Sequence, residues 1–136
     1  MASLQTRNTA AQCGLRPTRF AFAICHHSPR QEGILGYCGF LHHAELPGEV
    51  EIGYRLDPAC WNRGLIIKAA RAVRDYAFAD LKLPRVISLI HPDNIPSRRV
   101  AEKIVLRSEK EITFRGFATI VFALSQEQRE AANAAG

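Results

Sequence analysis

Apolar and polar positions alternate over several short spans of the chain and recur at helical spacing over two others. Phe20-Ala21-Phe22-Ala23-Ile24-Cys25 is a compact apolar run, read as a buried strand. Ser28 to Gly33 carries turn chemistry, and Ile34 to His42 reads as a second strand, so the two form a hairpin. Gly36 and Gly39 inside that strand mark a bulge or a close neighbour. After a turn at Leu46-Pro47-Gly48, Val50 to Leu56 alternates, with even positions apolar and Glu51 and Arg55 on the other face. Ile66, Ala70, Val73 and Ala77 then fall on one side of a helix that runs to about Leu81. Lys68, Arg71, Arg74 and Asp75 lie on its solvent side.

Leu83-Pro84 ends that helix, and Arg85 to Ile90 is a strand rich in β-branched residues. A strand, a helix and a strand in this order predict a parallel crossover. His91 to Ser97 is a turn and helix start, with Asn94 as N-cap and Pro96 in the first turn. Val100, Ala101, Ile104 and Val105 give the next helix its buried face. Lys110–Phe114 and Ala118–Leu124 close the fold as a hairpin around Arg115-Gly116. The pattern predicts an α/β (α+β) domain with a mixed sheet over residues 19–125. It leaves 1–18 as a flexible N-terminal tail and 126–136 as a C-terminal tail that extends helically and frays.

Composition removes several function classes. No apolar run is long enough to span a bilayer, and Met1 to Pro17 lack the apolar core of a secretory signal, so a cytoplasmic protein without a membrane partner is expected. No two of Cys13, Cys25, Cys38 and Cys60 stand at C-x-x-C spacing, which predicts reduced buried thiols and no metal. The pairs His26-His27 and His42-His43 would point to opposite faces of a strand, so they read as solvated or strand-end histidines. The net charge of +5 favours anionic partners. The arginines are scattered and not interleaved with aromatics, which argues against nucleic acid and leaves a phosphorylated ligand.

Trp61 to Ala70 is where such a ligand fits. A strand ends, a glycine-bearing turn follows, and a helix begins whose first N–H groups lack internal partners. Three blocks around it, taken together, resemble the GNAT superfamily of acyl-CoA-dependent N-acetyltransferases. The similarity is greatest to the branch that acetylates ribosomal-protein alanine termini. The first block runs from Glu51-Ile52-Gly53-Tyr54-Arg55-Leu56 through Pro58 into Trp61-Asn62-Arg63-Gly64-Leu65 and Lys68-Ala69-Ala70. The second is Asp75-Tyr76-Ala77-Phe78 with Leu81 to Arg85 and the strand after it. The third is Pro92-Asp93-Asn94-Ile95-Pro96-Ser97 continuing to Lys103.

The resemblance implies a mostly antiparallel mixed sheet with a splayed parallel pair, a GNAT-like acyl-CoA N-acyltransferase fold. It implies acetyl-CoA in the gap as co-substrate, its pantetheine arm against the exposed backbone of Ile52, Tyr54 and Leu56. The pyrophosphate would rest on Asn62, Arg63, Gly64, Leu65 and Ile66. Asn94 would hold the acyl-CoA arm, and Ser97 would return a proton to the leaving sulfur. Glu51 would take a proton from the attacking amine, which is a protein N-terminus or a small molecule. Glu51 also reads as a solvent-facing or ion-paired strand residue, Asn94 and Ser97 as plain helix caps, and Tyr54 as core packing.

The chain departs from the family pattern at four places. Ile66 stands where the pattern asks for Gly or Ala; it either crowds the pyrophosphate or turns into the core. Ile67-Lys68 replaces Thr-Glu. Val105 stands where a helix-ending glycine is usual, at a cost of roughly 1–2 kcal/mol if φ is positive there. Residues 1–18 are too short and polar for the strand and helices that family members place first, so the chain reads as N-terminally shortened. The exposed sheet end leaves room for a homodimer. Two functions follow: an acetyl-CoA-dependent N-acetyltransferase, or a degenerate, non-catalytic domain that binds acyl-CoA or a protein.

Overall fold

A computed structural model describes residues 2–3, 21–28, 31–56 and 64–135. Its elements in chain order are β1 (Ala2–Ser3), β2 (Ala21–Ser28), β3 (Gln31–Leu41), β4 (Glu51–Leu56), α1 (Leu65–Ala79) and β5 (Arg85–Ile90). Then come α2 (Ile95–Lys103), β6 (Arg107–Phe114), β7 (Phe117–Ser125) and α3 (Gln126–Ala135). The strands form one sheet in the order β1-β2-β3-β4-β5-β7-β6. Among the described residues only β4 and β5 pair in parallel, with α1 between them in the chain as the expected crossover. The mixed, mostly antiparallel sheet read from the sequence is the sheet found.

The helical stripe becomes the main core. Ala69, Ala70, Val73, Ala77 and Phe78 of α1 pack on Cys38, Phe40, Ile52, Val86, Ile90, Ile120, Phe122 and Leu124 of the sheet. Ile87, Val121 and Ala123 form a smaller cluster with Leu46, Leu89 and Ile112. Arg74, expected on the solvent side of α1, is instead largely covered. Its guanidinium donates to the Ile104 carbonyl at 2.9 Å, at the end of α2 where backbone carbonyls lack helical donors.

Several boundaries differ from the sequence reading. β3 starts at Gln31, and the register slips where Ile24 faces Gly36 and Cys25 faces Ile34, which places the bulge beside Gly36. β6 starts at Arg107 because pairing with β7 carries it, although Arg107 to Lys110 are exposed and show no alternation. Helix α3 runs over Gln126–Ala135, within the segment expected as a C-terminal tail that extends helically. Ser125 and Gln128 form a reciprocal capping box, with the Gln128 N–H on Ser125 Oγ at 3.1 Å and the Ser125 N–H on Gln128 Oε1 at 2.9 Å. Of the expected N-terminal tail, Ala2 and Ser3 pair with His26 and Cys25.

Val105 is at φ 63°, in the left-handed region. The Leu106 N–H bonds the Ala101 carbonyl at 2.9 Å and the Val105 N–H bonds the Glu102 carbonyl at 3.0 Å, the two bonds of a Schellman end. A β-branched residue therefore occupies the position that favours glycine. Val105 is 38% exposed, so truncating it sacrifices little burial. Val105→Gly is expected to raise stability by about 1 kcal/mol, read as a melting temperature higher by a few degrees. An unchanged or lower melting temperature would show that no strain is stored there.

Candidate functional site

β4 and β5 meet at one register pair, Glu51 with Ile87, and the Ile87 N–H donates to the Val50 carbonyl at 3.0 Å. A regular parallel ladder would next join the Leu89 N–H to the Ile52 carbonyl. That bond is replaced on both sides. Ser88 Oγ donates to the Ile52 carbonyl at 2.9 Å, and the Leu89 N–H donates to Glu51 Oε2 at 2.8 Å. Two side chains thus take the backbone groups that would have zipped the strands, and the pair splays from this point.

Carbonyls of alternate residues share an edge of a strand. Since Val50 and Ile52 direct theirs toward β5, Tyr54 and Leu56 aim their backbone groups the same way, past the last paired position. Ile52, Tyr54 and Leu56 therefore share one backbone edge of β4, on the side of β5. A cleft of about 240 Å³ opens in the wedge, and its lining includes Glu51, Ile52, Tyr54, Leu89, Asn94 and Ser97.

Glu51 is buried. Besides the Leu89 N–H it meets His43, whose Nε2 lies 2.7 Å from Oε1. These contacts do not close the carboxylate off from the cleft: each of its oxygens keeps a lone pair free of these two partners. Tyr54 spans the wedge and donates its hydroxyl to the Ser97 carbonyl at 2.8 Å. Burial pushes its phenol well above the ordinary range, so the hydroxyl stays a donor. Asn94 caps α2, accepting the Ser97 N–H at 3.3 Å on Oδ1. The Ser97 hydroxyl makes no hydrogen bond among the described residues and sits half-buried on the cleft wall.

Gly64, Leu65 and Ile66 do not line this cleft; they form the start of α1. Gly64 is the N-cap at φ 71°, and the Lys68 N–H closes the first helical bond on its carbonyl at 3.1 Å. A Cβ there would meet nothing within 4 Å, so the backbone conformation, not space, calls for glycine. Among the described residues no side chain caps α1, and no acid sits in its first turn, so its leading N–H groups suit an anionic acceptor. Ile66 is half-buried and packs on the core with Leu65 and Ile67. Of the two outcomes for this departure, the side chain packs against the core. Trp61, Asn62 and Arg63 lie outside the described residues.

The sequence reading missed His43. β3 stops at Leu41, so His42 and His43 are in a loop, and strand alternation does not govern them. His43 lies just past the strand end but is not solvated: its side chain is 13% exposed. Its only signal in the sequence was its place eight residues before Glu51, across a Pro-Gly turn. Among the described residues no group of three or more His, Cys, Asp or Glu could hold a metal ion. No helix among them is long and apolar enough to cross a membrane.

Comparison with known proteins meets the same architecture. The chain is 42% identical over 59 residues to the uncharacterized N-acetyltransferase YnaD of Bacillus subtilis (strain 168), a match over 43% of this chain and 35% of that protein. The chain spans less than half the length of the curated relatives it matches. A putative GnaT-family acetyltransferase from Bordetella pertussis superposes with a TM-score of 0.71 at 24% identity, covering 85% of this chain and 72% of that one. The ribosomal-protein-S5-alanine acetyltransferase from Vibrio fischeri superposes at 0.68 with 19% identity, over 87% and 66%, a likeness of fold. The family model described as the acetyltransferase (GNAT) domain matches residues 3–107, which takes in part of the expected tail together with the splayed strands and both helix starts. On that match and this fold, the chain belongs to the GNAT acetyltransferase domain family.

Proposed function

We propose that the domain transfers an acetyl group from acetyl-CoA to a primary amine by direct attack. The observation that carries this reading is the wedge between β4 and β5. Its mouth combines an open strand edge, a buried carboxylate and a half-buried hydroxyl within one cleft. An acyl thioester with a peptide-like arm suits such an edge, since the arm's amides complete the hydrogen bonds that the splay leaves open. The start of α1, which no described side chain caps, suits its pyrophosphate. Ile66 adds no obstruction there, because its side chain packs on the core.

The chemistry assigned to the chain's own residues is a balanced exchange. The amine nitrogen forms a bond to the thioester carbonyl carbon, and its proton passes to Glu51, directly or through water. Backbone N–H groups on the open edge stabilise the carbonyl oxygen as it gains charge. The carbon–sulfur bond then breaks, Ser97 gives its hydroxyl proton to sulfur, and solvent returns a proton to Ser97 and takes one from Glu51. The products are an amide and a free thiol. The acceptor is a protein N-terminus or a small amine; the likeness to a ribosomal-protein-alanine acetyltransferase favours the first. Residues 19–125 carry the site.

Titration with acetyl-CoA tests the reading. Ligand that binds only the folded state stabilises it by about 2.7 kcal/mol at a hundredfold excess over Kd. The melting temperature should therefore climb with acetyl-CoA, and thiol should be released in the presence of an alanine-led peptide or a small primary amine. Ser97→Ala is expected to slow thiol release while leaving the melting shift intact. Absence of any shift at millimolar acetyl-CoA would overturn the proposal. A shift without thiol release would favour the alternative, a non-catalytic acyl-CoA-binding domain.

A further inference from the structure

Glu51 is the member of the cleft whose orientation the structure explains in most detail, and that explanation involves a loop and a hairpin tip outside the cleft. His43 Nε2 lies 2.7 Å from Glu51 Oε1. The other ring nitrogen, Nδ1, lies 3.5 Å from Arg115 Nη2. A guanidinium has only donors, so the contact is favourable when Nδ1 presents a lone pair to it. A neutral imidazole then carries its one proton on Nε2, pointed at the carboxylate. The ring is fixed by packing as well. It meets the Phe114 ring edge-on, with centroids 5.1 Å apart and planes at 69°. The Arg115 guanidinium lies over the same Phe114 ring at 4.9 Å, and its Nε donates to Glu45 at 2.7 Å.

Local backbone geometry makes this possible. Phe114 pairs with Phe117, so Arg115 and Gly116 form a two-residue hairpin turn with φ of 51° and 83°. That turn brings Arg115 to the loop after β3. The loop is itself turned, with the Leu46 N–H on the His43 carbonyl at 3.1 Å, and Leu46 is packed in the smaller core. The charged groups around the His43 ring are thus Glu51 from β4 and Arg115 from the hairpin tip, with Glu45 beyond Arg115.

We infer that His43 is a positioning residue for Glu51, held as the neutral Nε2–H tautomer by Arg115. The inference rests on the proposed acetyl transfer, in which Glu51 receives the amine proton. Leu89 fixes one carboxylate oxygen from the backbone and His43 fixes the other, so the carboxylate cannot rotate away from the cleft. Displacement of a catalytic group by about 1 Å costs on the order of a hundredfold in rate. His43→Ala should therefore reduce kcat by tenfold or more, with KM for acetyl-CoA and the acetyl-CoA melting shift unchanged. His43→Gln, which returns an N–H donor at the place of Nε2, should recover most of the loss, and added imidazole should partly restore His43→Ala.

Nitrogen-15 spectra of the histidine rings in the full chain test the geometry without turnover. A neutral Nε2–H ring for His43, giving way to a tautomer mixture in Arg115→Ala, is the expected result. An Nδ1–H ring, or a spectrum indifferent to Arg115→Ala, would overturn the inference. Failure of the acetyl-transfer reading looks different, because the unaltered protein would then release no thiol. Failure of this inference alone would leave Glu51→Gln slow and His43→Ala fast.

Discussion

Glu51→Gln is expected to lower kcat for acetyl transfer by about 10²- to 10⁴-fold, the usual contribution of a positioned base. The substitution changes the chemistry more than the shape. The amide oxygen can still accept the Leu89 N–H that Glu51 accepts at 2.8 Å. Its NH₂ then faces His43 Nε2, where the carboxylate accepted a bond at 2.7 Å. Two donors now meet unless the imidazole moves its proton to Nδ1, against Arg115. A stability loss of about 1 kcal/mol should accompany the kinetic loss. Glu51→Asp keeps the charge but is one methylene shorter, so it cannot reach both partners and should be intermediate. The measurement is initial-rate thiol release with saturating acetyl-CoA, beside an acetyl-CoA melting shift in each variant. A Glu51→Gln protein that keeps its kcat within threefold would remove Glu51 as the base, whatever its position in the cleft.

The wedge could be read only in part from sequence. Alternation along Val50 to Leu56 placed Glu51 on one face and Ile52 and Tyr54 on the other, and the crossover through α1 made β5 the parallel neighbour. Periodicity encodes those relations directly. The splay itself was available only as an expectation from family likeness. Its cause is the capture of the Ile52 carbonyl and Leu89 N–H by Ser88 and Glu51, a long-range event that no local pattern encodes.

His43 was illegible for a related reason. Its role depends on β3 ending at Leu41 and on the β6–β7 turn arriving from residues about seventy positions away. Val105 was the opposite case: the missing glycine pointed to a positive φ, and the backbone at φ 63° has one. Ile66 lay between these extremes, since the sequence offered two outcomes and only packing chose. The segment 126–136 was read as a tail because its apolar content is low. The Ser125–Gln128 capping box and the Gln126 N–H on the Pro84 carbonyl at 2.9 Å give its helix a fixed start.

Alkaline pH should destabilise the fold in a way that one cysteine controls. Cys38 is fully buried opposite Tyr54 in the β3–β4 ladder, and burial pushes its thiol from an ordinary 9.0 up to about 12. In the unfolded chain the thiol loses its proton near pH 9, whereas the folded chain keeps it until about pH 12. Between those limits the unfolded state binds fewer protons, so stability is complete below pH 9 and falls as pH rises. Tyr54 adds to the loss with the same sign above its ordinary value of 10.0, again because burial disfavours the charged form. At about 1.4 kcal/mol for each pKa unit, the Cys38 contribution reaches on the order of 3 kcal/mol by pH 11. Cys38→Ala removes it. The variant should be roughly 1 kcal/mol less stable at pH 8 through lost packing, then overtake the unaltered protein by pH 11. Urea unfolding at steps of pH 8 to 11 measures the gap. A gap that stays constant across that range would mean that Cys38 is solvated in the folded state, and that the β3–β4 ladder opens beside the wedge.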